Sequence, residues 1–445
     1  MRILKHGVVF ACLLALAACD VPTTPSWMGG SPPEIKRAPG ERTDVLFNVP
    51  RLKADAGAAD QAIDVPEQAE LKEWHNHNEA MLTPHIGSTG IAHEQTAKIG
   101  DGNDFSRDTV SPPIVADGTV FAMDAAGIVS AHDAADIDHV KWVDKTGVAD
   151  NVYDVLGGGL AFDDGVVYAT TGYGNLRAID AKTGQSKWNV RVGAPVRGAP
   201  AIGNGLVVVL TADNQTLAFD ITNGSPRWEH RGIKESAGYF STTAPVIVDG
   251  IVVSAYSSGE VFALRAETGN VIWSDTLGNS VKTRASAVFS GIDADPIVQD
   301  GVVVVVSASG EMQASALLNG RPLWQLKVGA HNTPWSAGNV LFVLADTHDI
   351  AAIFKRDGGI RWAQSMAVAD ANDPNKDKTP PLYGPILAGN VVMVVDHNGQ
   401  LQTFKPDTGE RLRTFELARH IVTSPIIAGG AMYVVTKNAT LHKYY

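Results

Sequence analysis

The sequence predicts an all-β protein, an eight-bladed β-propeller with four antiparallel strands per blade and a last blade closed by a strand from the N-terminal side. Three observations lead there. First, a Gly-x-x-x-Trp phrase recurs: Gly184 with Trp188, Gly224 with Trp228, Gly269 with Trp273, Gly320 with Trp324 and Gly358 with Trp362. Asp138 replaces the glycine before Trp142, and Arg413 replaces the tryptophan after Gly409. Successive tryptophans stand 38 to 51 residues apart, a period that with short strands marks propeller blades. Second, each repeat carries two turn signals at fixed offsets. Third, the final repeat stops one strand short.

The first turn follows a strand that opens on proline. Pro113, Pro200, Pro245, Pro296 and Pro425 stand five residues before Gly118, Gly205, Gly250, Gly301 and Gly430; Pro334 and Pro385 reach Asn339 and Asn390 at the same offset. In the second repeat Leu160 takes the proline position. Proline at a strand's first residue removes no ladder bond, and pairs such as Asp117-Gly118 or Asn204-Gly205 suit tight hairpins that need positive φ. A second turn follows at Gly127, Gly174, Asn214, Gly259, Gly310, His348 and Gly399. Runs between turns, such as Val302 to Val306, are apolar on both faces, as a strand sandwiched between neighbouring blades should be. Alanine recurs at 131, 178, 218, 263 and 314, which predicts close approach of adjacent sheets. The tryptophans fall on the outer strand, where a ring can pack across a blade junction and its N–H can find a backbone acceptor.

Seven full repeats occupy about residues 112–417, and the eighth, from Ser424 to Tyr445, lacks its last strand. An unfinished blade would leave a free edge. The expected closing strand is Glu94 to Gly100, because Gln95 precedes Gly100 by the offset that separates Trp188 from Gly193; a segment around Trp74 is the alternative.

The N-terminus reads as a leader. Arg2 and Lys5 precede an apolar run from Val8, too short to span a bilayer, and Leu16-Ala17-Ala18-Cys19 resembles a bacterial lipobox. Residues 1–18 are therefore expected to be removed and Cys19 to be lipidated. Cys12 and Cys19 are the only cysteines, so the mature chain would carry neither thiol nor disulfide. Residues 19–68, rich in Pro, Gly and Ala, read as a lipidated N-terminus and flexible tether, 69–91 as a lead-in, and 92–445 as the propeller. A net charge of −12 argues against nucleic acid as a partner.

Candidate sites are few. His75 and His77 with His85 and His93 lack regular metal-ligand spacing and read as a polar surface segment. Asp373 to Asp377 begins like a calcium loop, but Lys378 and Gly384 stand where glycine and a bidentate glutamate are needed, so it reads as an inter-blade insertion. Asp293 and Asp295, just before Pro296, form a plain exposed turn, a docking point, a general acid and base, or a metal site. Arg231, Lys234, Tyr239 and Phe240 give the preceding connection the composition of a binding hot spot, unless the two aromatics pack beneath it.

The repeat signature Ala-x-(Asp or Glu)-x-x-(Thr or Asn)-Gly-x-x-x-Trp, clear at Asp180-x-x-Thr183-Gly184 and Asp220-x-x-Asn223-Gly224, resembles that of quinoprotein-type (PQQ-like) propellers. Combined with the lipobox, it is similar to the BamB family of outer-membrane assembly lipoproteins over about residues 92–445. The resemblance implies a non-catalytic scaffold without a cofactor, on the periplasmic face of the outer membrane, that binds the POTRA-bearing barrel-insertion subunit and possible unfolded outer-membrane clients. The implied contacts are connections entering two successive blades, here Arg231 to Ala244 and Ser290 to Asp295. Asp293 matches an acidic family position; Phe240 stands where an arginine is expected. Asp20 after Cys19 resembles an inner-membrane retention signal, leaving the choice of membrane open. The alternatives are a quinoprotein dehydrogenase, whose vicinal cysteine pair is absent here, or a scaffold for another envelope partner.

Overall fold

The computed structural model describes residues 51–76, 85–87, 90–100, 111–145, 157–234, 243–277, 291–308, 310–370 and 373–445. Among the described residues there is no helix, and the strands form eight four-stranded antiparallel sheets plus one two-stranded hairpin. Blades 1 to 7 occupy 114–144, 158–191, 201–231, 246–276, 297–326, 335–365 and 382–416. Blade 8 joins 426–444 to the closing strand Glu94–Lys98. This is the expected closure: Gln95 lies opposite Lys443 and Thr96 opposite His442.

Blade 3 shows how the sequence makes a blade. Ala201–Gly203 turns through Asn204-Gly205, at φ +53° and +73°, into Leu206–Leu210; both turn residues are left-handed, as a two-residue hairpin of this twist requires. Leu206–Leu210 is buried at every position, whereas the outer strand Pro226–Arg231 is mostly exposed. Four strands that alternate in direction put the first and third hairpin turns on one face of the ring, the turn face. The middle turn and the link to the next blade lie on the other, the connection face.

Blades are joined by the tryptophans. Each indole N–H donates to the carbonyl just after the third strand of the following blade: Trp142 to Ala181 (2.9 Å), Trp188 to Ile221 (3.1 Å), Trp228 to Ala266 (2.7 Å), Trp273 to Leu317 (2.6 Å), Trp324 to Lys355 (2.6 Å) and Trp362 to Pro406 (2.8 Å). The ring lies against the glycine of that next blade. A Cβ on Gly269 would sit 2.6 Å from the Trp228 ring, and Gly269 has φ +72°, so both space and backbone favour glycine there. The recurring alanines stand directly beside the tryptophans. Ala178 pairs directly with Trp188 within one sheet, and the register shifts immediately after it; the same holds for Ala218 with Trp228 and Ala263 with Trp273. The small residue makes room for the indole beside a bulge.

Residues 51–68 depart from the expected tether, because they dock on the ring. Asp55 N donates to Ile360 O and its carboxylate accepts from Ile360 N, while Asp64 N donates to Asn339 Oδ1. The alternative closing segment at Trp74 does not complete a sheet; it forms an isolated bridge with Val115 of blade 1. His85 is likewise not on a polar surface. It is buried, with Nδ1 2.6 Å from Pro66 O and Nε2 accepting from Asn390 N.

The junction geometry gives a paired test. Gly118 and Gly269 share a left-handed backbone (φ +63° and +72°), but a Cβ on Gly118 meets nothing within 4 Å. Gly118→Ala should cost the backbone term alone, about 1–2 kcal/mol. Gly269→Ala adds overpacking against Trp228, a further 1–3 kcal/mol or so. Equal losses in urea melts would show that the ring contact is not what demands glycine.

Candidate functional site

The connection between blades 4 and 5 carries Asp293 and Asp295, and neither is an exposed turn residue: they are 7% and 6% exposed. Asp295 Oδ1 accepts from Ala244 N at 2.6 Å, and its own N–H donates to Thr333 Oγ1 at 3.0 Å. Thr243 Oγ1 donates to Ile292 O at 2.9 Å. The pair therefore stitches three consecutive connections together, those entering blades 4, 5 and 6. Asp293 Oδ2 lies 3.4 Å from His331 Nε2, whose Nδ1 is 2.5 Å from Asp346 Oδ1. The hydrogen bond to Asp346, reinforced by both carboxylate charges, raises the His331 pKa above 6.5 despite burial.

These residues rim an axial cavity of about 260 Å³ whose wall is built from the entrances of the inner strands. Trp335, Tyr383 and Thr423 line it together with Asp293 and His331, and Trp74 contributes from the N-terminal segment. Among the described residues no group of three or more His, Cys, Asp or Glu side chains is placed to hold a metal ion.

The connection leaving blade 3 is built differently. Gly232 N donates to Asn214 O, Ile233 N to Glu260 Oε2 (2.7 Å), and Asn214 Nδ2 to Ile233 O (2.8 Å). Glu260 is itself held by Ser258 Oγ at 2.7 Å. The backbone is thus fixed on both sides while the Ile233 side chain is 63% exposed. Arg231, two residues before it, has a side chain also 63% exposed and pairs with the exposed Glu229 at 3.3 Å, and Lys234 is exposed. Tyr239, Phe240 and Cys19 lie outside the described residues. The structure separates two sets that the sequence treats alike: Arg231 and Lys234 are presented, whereas Asp293 and Asp295 are buried. Ile233 and His331 escaped the sequence reading. An apolar residue between two cations was a visible signal for Ile233; nothing local marked His331, whose partners come from the connection into blade 5 and the middle turn of blade 6.

The insertion between blades 6 and 7 is the hairpin Ala369–Asp370 with Asp373–Asp377, and Asp377 is engaged by His348 Nδ1 at 2.8 Å.

A closed ring of eight blades, six of its junctions made by indole-to-carbonyl contacts, around an axial cavity defines a PQQ-type propeller. The chain belongs to the family described as outer membrane protein assembly factor BamB, whose profile matches residues 125–364 and 346–444. It is 25% identical to the BamB of Yersinia pestis over 73% of this chain and 82% of that protein. It is 26% identical to the BamB of Escherichia coli K12 over 77% and 85%. The BamB structure from Moraxella catarrhalis superposes with a TM-score of 0.65 at 18% identity, covering 79% of this chain and 99% of that one. A quinohemoprotein alcohol dehydrogenase from Comamonas testosteroni shares the fold at 14% identity and TM-score 0.63, over 84% and 81%.

Two measurements check the site. Asp295→Ala leaves the buried Ala244 N–H without its acceptor and should cost about 1–3 kcal/mol, where an exposed turn carboxylate would cost at most ~0.5 kcal/mol. For His331, whose folded pKa is raised, the stabilising contribution is full below the unfolded value of 6.5 and fades as pH rises through the higher folded value. The stability difference between wild type and His331→Gln should therefore shrink on going from acidic to alkaline pH. Its side chain is 46% exposed, so solvent keeps the effect small; a difference that grows with pH would contradict the assignment.

Proposed function

We propose that this chain is a non-catalytic scaffold lipoprotein of the β-barrel assembly machinery, docking the POTRA-bearing barrel-insertion subunit through its connection face. The observation that carries the reading is the Arg231 to Lys234 loop in a BamB-family propeller: an exposed aliphatic side chain between two exposed cations, on a backbone held by Glu260 and Asn214. Preorganised apolar and basic side chains bind with little ordering cost, and arginine is enriched at interface hot spots. In this reading Asp293 and Asp295 do not meet the partner directly; they fix the connections beneath it. Tyr239 and Phe240, further along the same connection in sequence, are additional candidate contacts.

The anchor is Cys19, acylated after removal of residues 1–18, which holds the propeller at the periplasmic face of the outer membrane. Unfolded outer-membrane proteins are additional clients. Both extend the family membership and the lipobox.

The test is capture of purified POTRA repeats by the full chain. Arg231→Glu with Ile233→Asp should leave the melting curve unchanged, since both side chains are exposed, and weaken capture roughly thirty-fold or more. Wild-type capture by the folded double variant would move docking to another surface. Stoichiometric binding of pyrroloquinoline quinone, followed by calorimetry, would instead favour the dehydrogenase whose fold this ring shares.

A further inference from the structure

The tryptophan contact that joins blades 1 to 7 fails at two places. At the 7–8 junction Arg413 stands in place of the indole and is exposed. At the 8–1 junction Lys443 Nζ reaches the equivalent carbonyl, Ala134 O, at 2.8 Å and Ala135 O at 3.0 Å. That keeps the acceptor satisfied but places no ring across the seam. The closing strand crosses the same seam in sequence, so the ring is least tied where its two ends meet.

The segment before the closing strand passes over these junctions on the turn face. Ile86 N donates to Leu387 O and Ile86 O accepts from Gly389 N, both in blade 7. Leu71 O accepts from Gly429 N of blade 8 at 2.8 Å. Trp74 exchanges both backbone bonds with Val115 of blade 1, at 2.7 and 2.9 Å, and Glu73 Oε1 accepts from Asp117 N. His75 O accepts from Phe162 N of blade 2. The two parts of the segment hold each other, Ala69 N to His85 O and Gly87 N to Ala69 O.

Burial follows the same path. Trp74 and Ile86 are 4% and 2% exposed, and they belong, with Ala58, to one continuous apolar cluster drawn from blades 6, 7, 8, 1 and 2. Blades 3, 4 and 5 bury most of their apolar side chains in separate, smaller clusters.

We infer that residues 69–76 and 85–87 act as a clasp that holds the ring shut across the two junctions lacking a tryptophan. It supplies from the turn face backbone bonds to blades 7, 8 and 1, and a tryptophan ring buried beside Trp335 in the axial core, where the other junctions have the indole and its carbonyl. Closure of the propeller then depends on a segment that belongs to no blade.

Hydrogen exchange on the full-length chain tests this, because loss of a clasp produces local opening rather than a uniform change. Trp74→Ala should speed exchange of the Glu94–Lys98 and Thr440–Tyr444 amides by about tenfold or more, and those of blades 3 and 4 by no more than about twofold. Trp228→Ala, at a junction with its tryptophan, should give the opposite map, opening blades 3 and 4 and sparing the seam. Should Trp74→Ala not fold, Glu73→Gln, which weakens the bond to Asp117 N and the contact with His75, serves in its place and should show the same local pattern at smaller amplitude. Uniform acceleration in all blades, or none at the seam, overturns the clasp.

Discussion

The contact of one blade's tryptophan with the next blade's glycine is the constraint on which the ring depends. A flat stack of eight sheets has no intrinsic reason to close at eight. Here six of the eight outer strands send an indole across the junction to a fixed carbonyl, so the separation and rotation of neighbouring sheets are set at Trp142, Trp188, Trp228, Trp273, Trp324 and Trp362 alike. The ring needs a flat landing, which glycine provides, and a small partner within its own sheet, which Ala178 and its counterparts provide. The repeated phrase is thus a relation between neighbours, written once per blade: its glycine serves the preceding tryptophan, and its own tryptophan serves the following glycine.

Much of this was legible because it is periodic. Turns, strand order, the outer position of the tryptophans and the closing strand all follow from residues repeated at fixed offsets, and the Gln95 register came from comparison with Trp188. What was not legible lacked a repeat. Asp293 and Asp295 look like an exposed acidic turn in one dimension. They are buried because connections from blades 3–4 and 5–6 converge on them, bringing Ala244 and Thr333 to the same place. Residues 51–68 have the composition of a linker, yet dock through isolated bonds to Ile360 and Asn339 about three hundred residues away. No local pattern encodes partners so distant.

Buried charge adds a second, non-repeating grip. Arg177 is fully buried and bonded to Asp144 at 2.5 Å and to Gly127 O at 2.5 Å, tying blade 2 to blade 1. Burial lowers its pKa while the carboxylates of Asp144 and Asp124 oppose that shift. Such a pair adds little net stability over an apolar replacement, but removing one partner strands the other. Its value lies in specifying one arrangement of the two blades next to the seam, where the repeated contact is about to run out.

The ring is therefore divided by how its blades are held. Blades 7, 8, 1 and 2 meet around the closure and share the N-terminal segment, a buried tryptophan and an apolar cluster continuous across them. Blades 3, 4 and 5 lie on the opposite side of an eight-membered ring and keep the indole contact in its regular form. The exposed Ile233 and the stitched connections around Asp295 fall in that second half. A surface that must keep its shape when a partner arrives is best carried by the part of the ring whose junctions are uniform, since any opening there must break a complete contact. On the proposed docking at Ile233, a seam four blades away leaves closure and docking free to vary independently, with the clasp on the turn face and the connection face open.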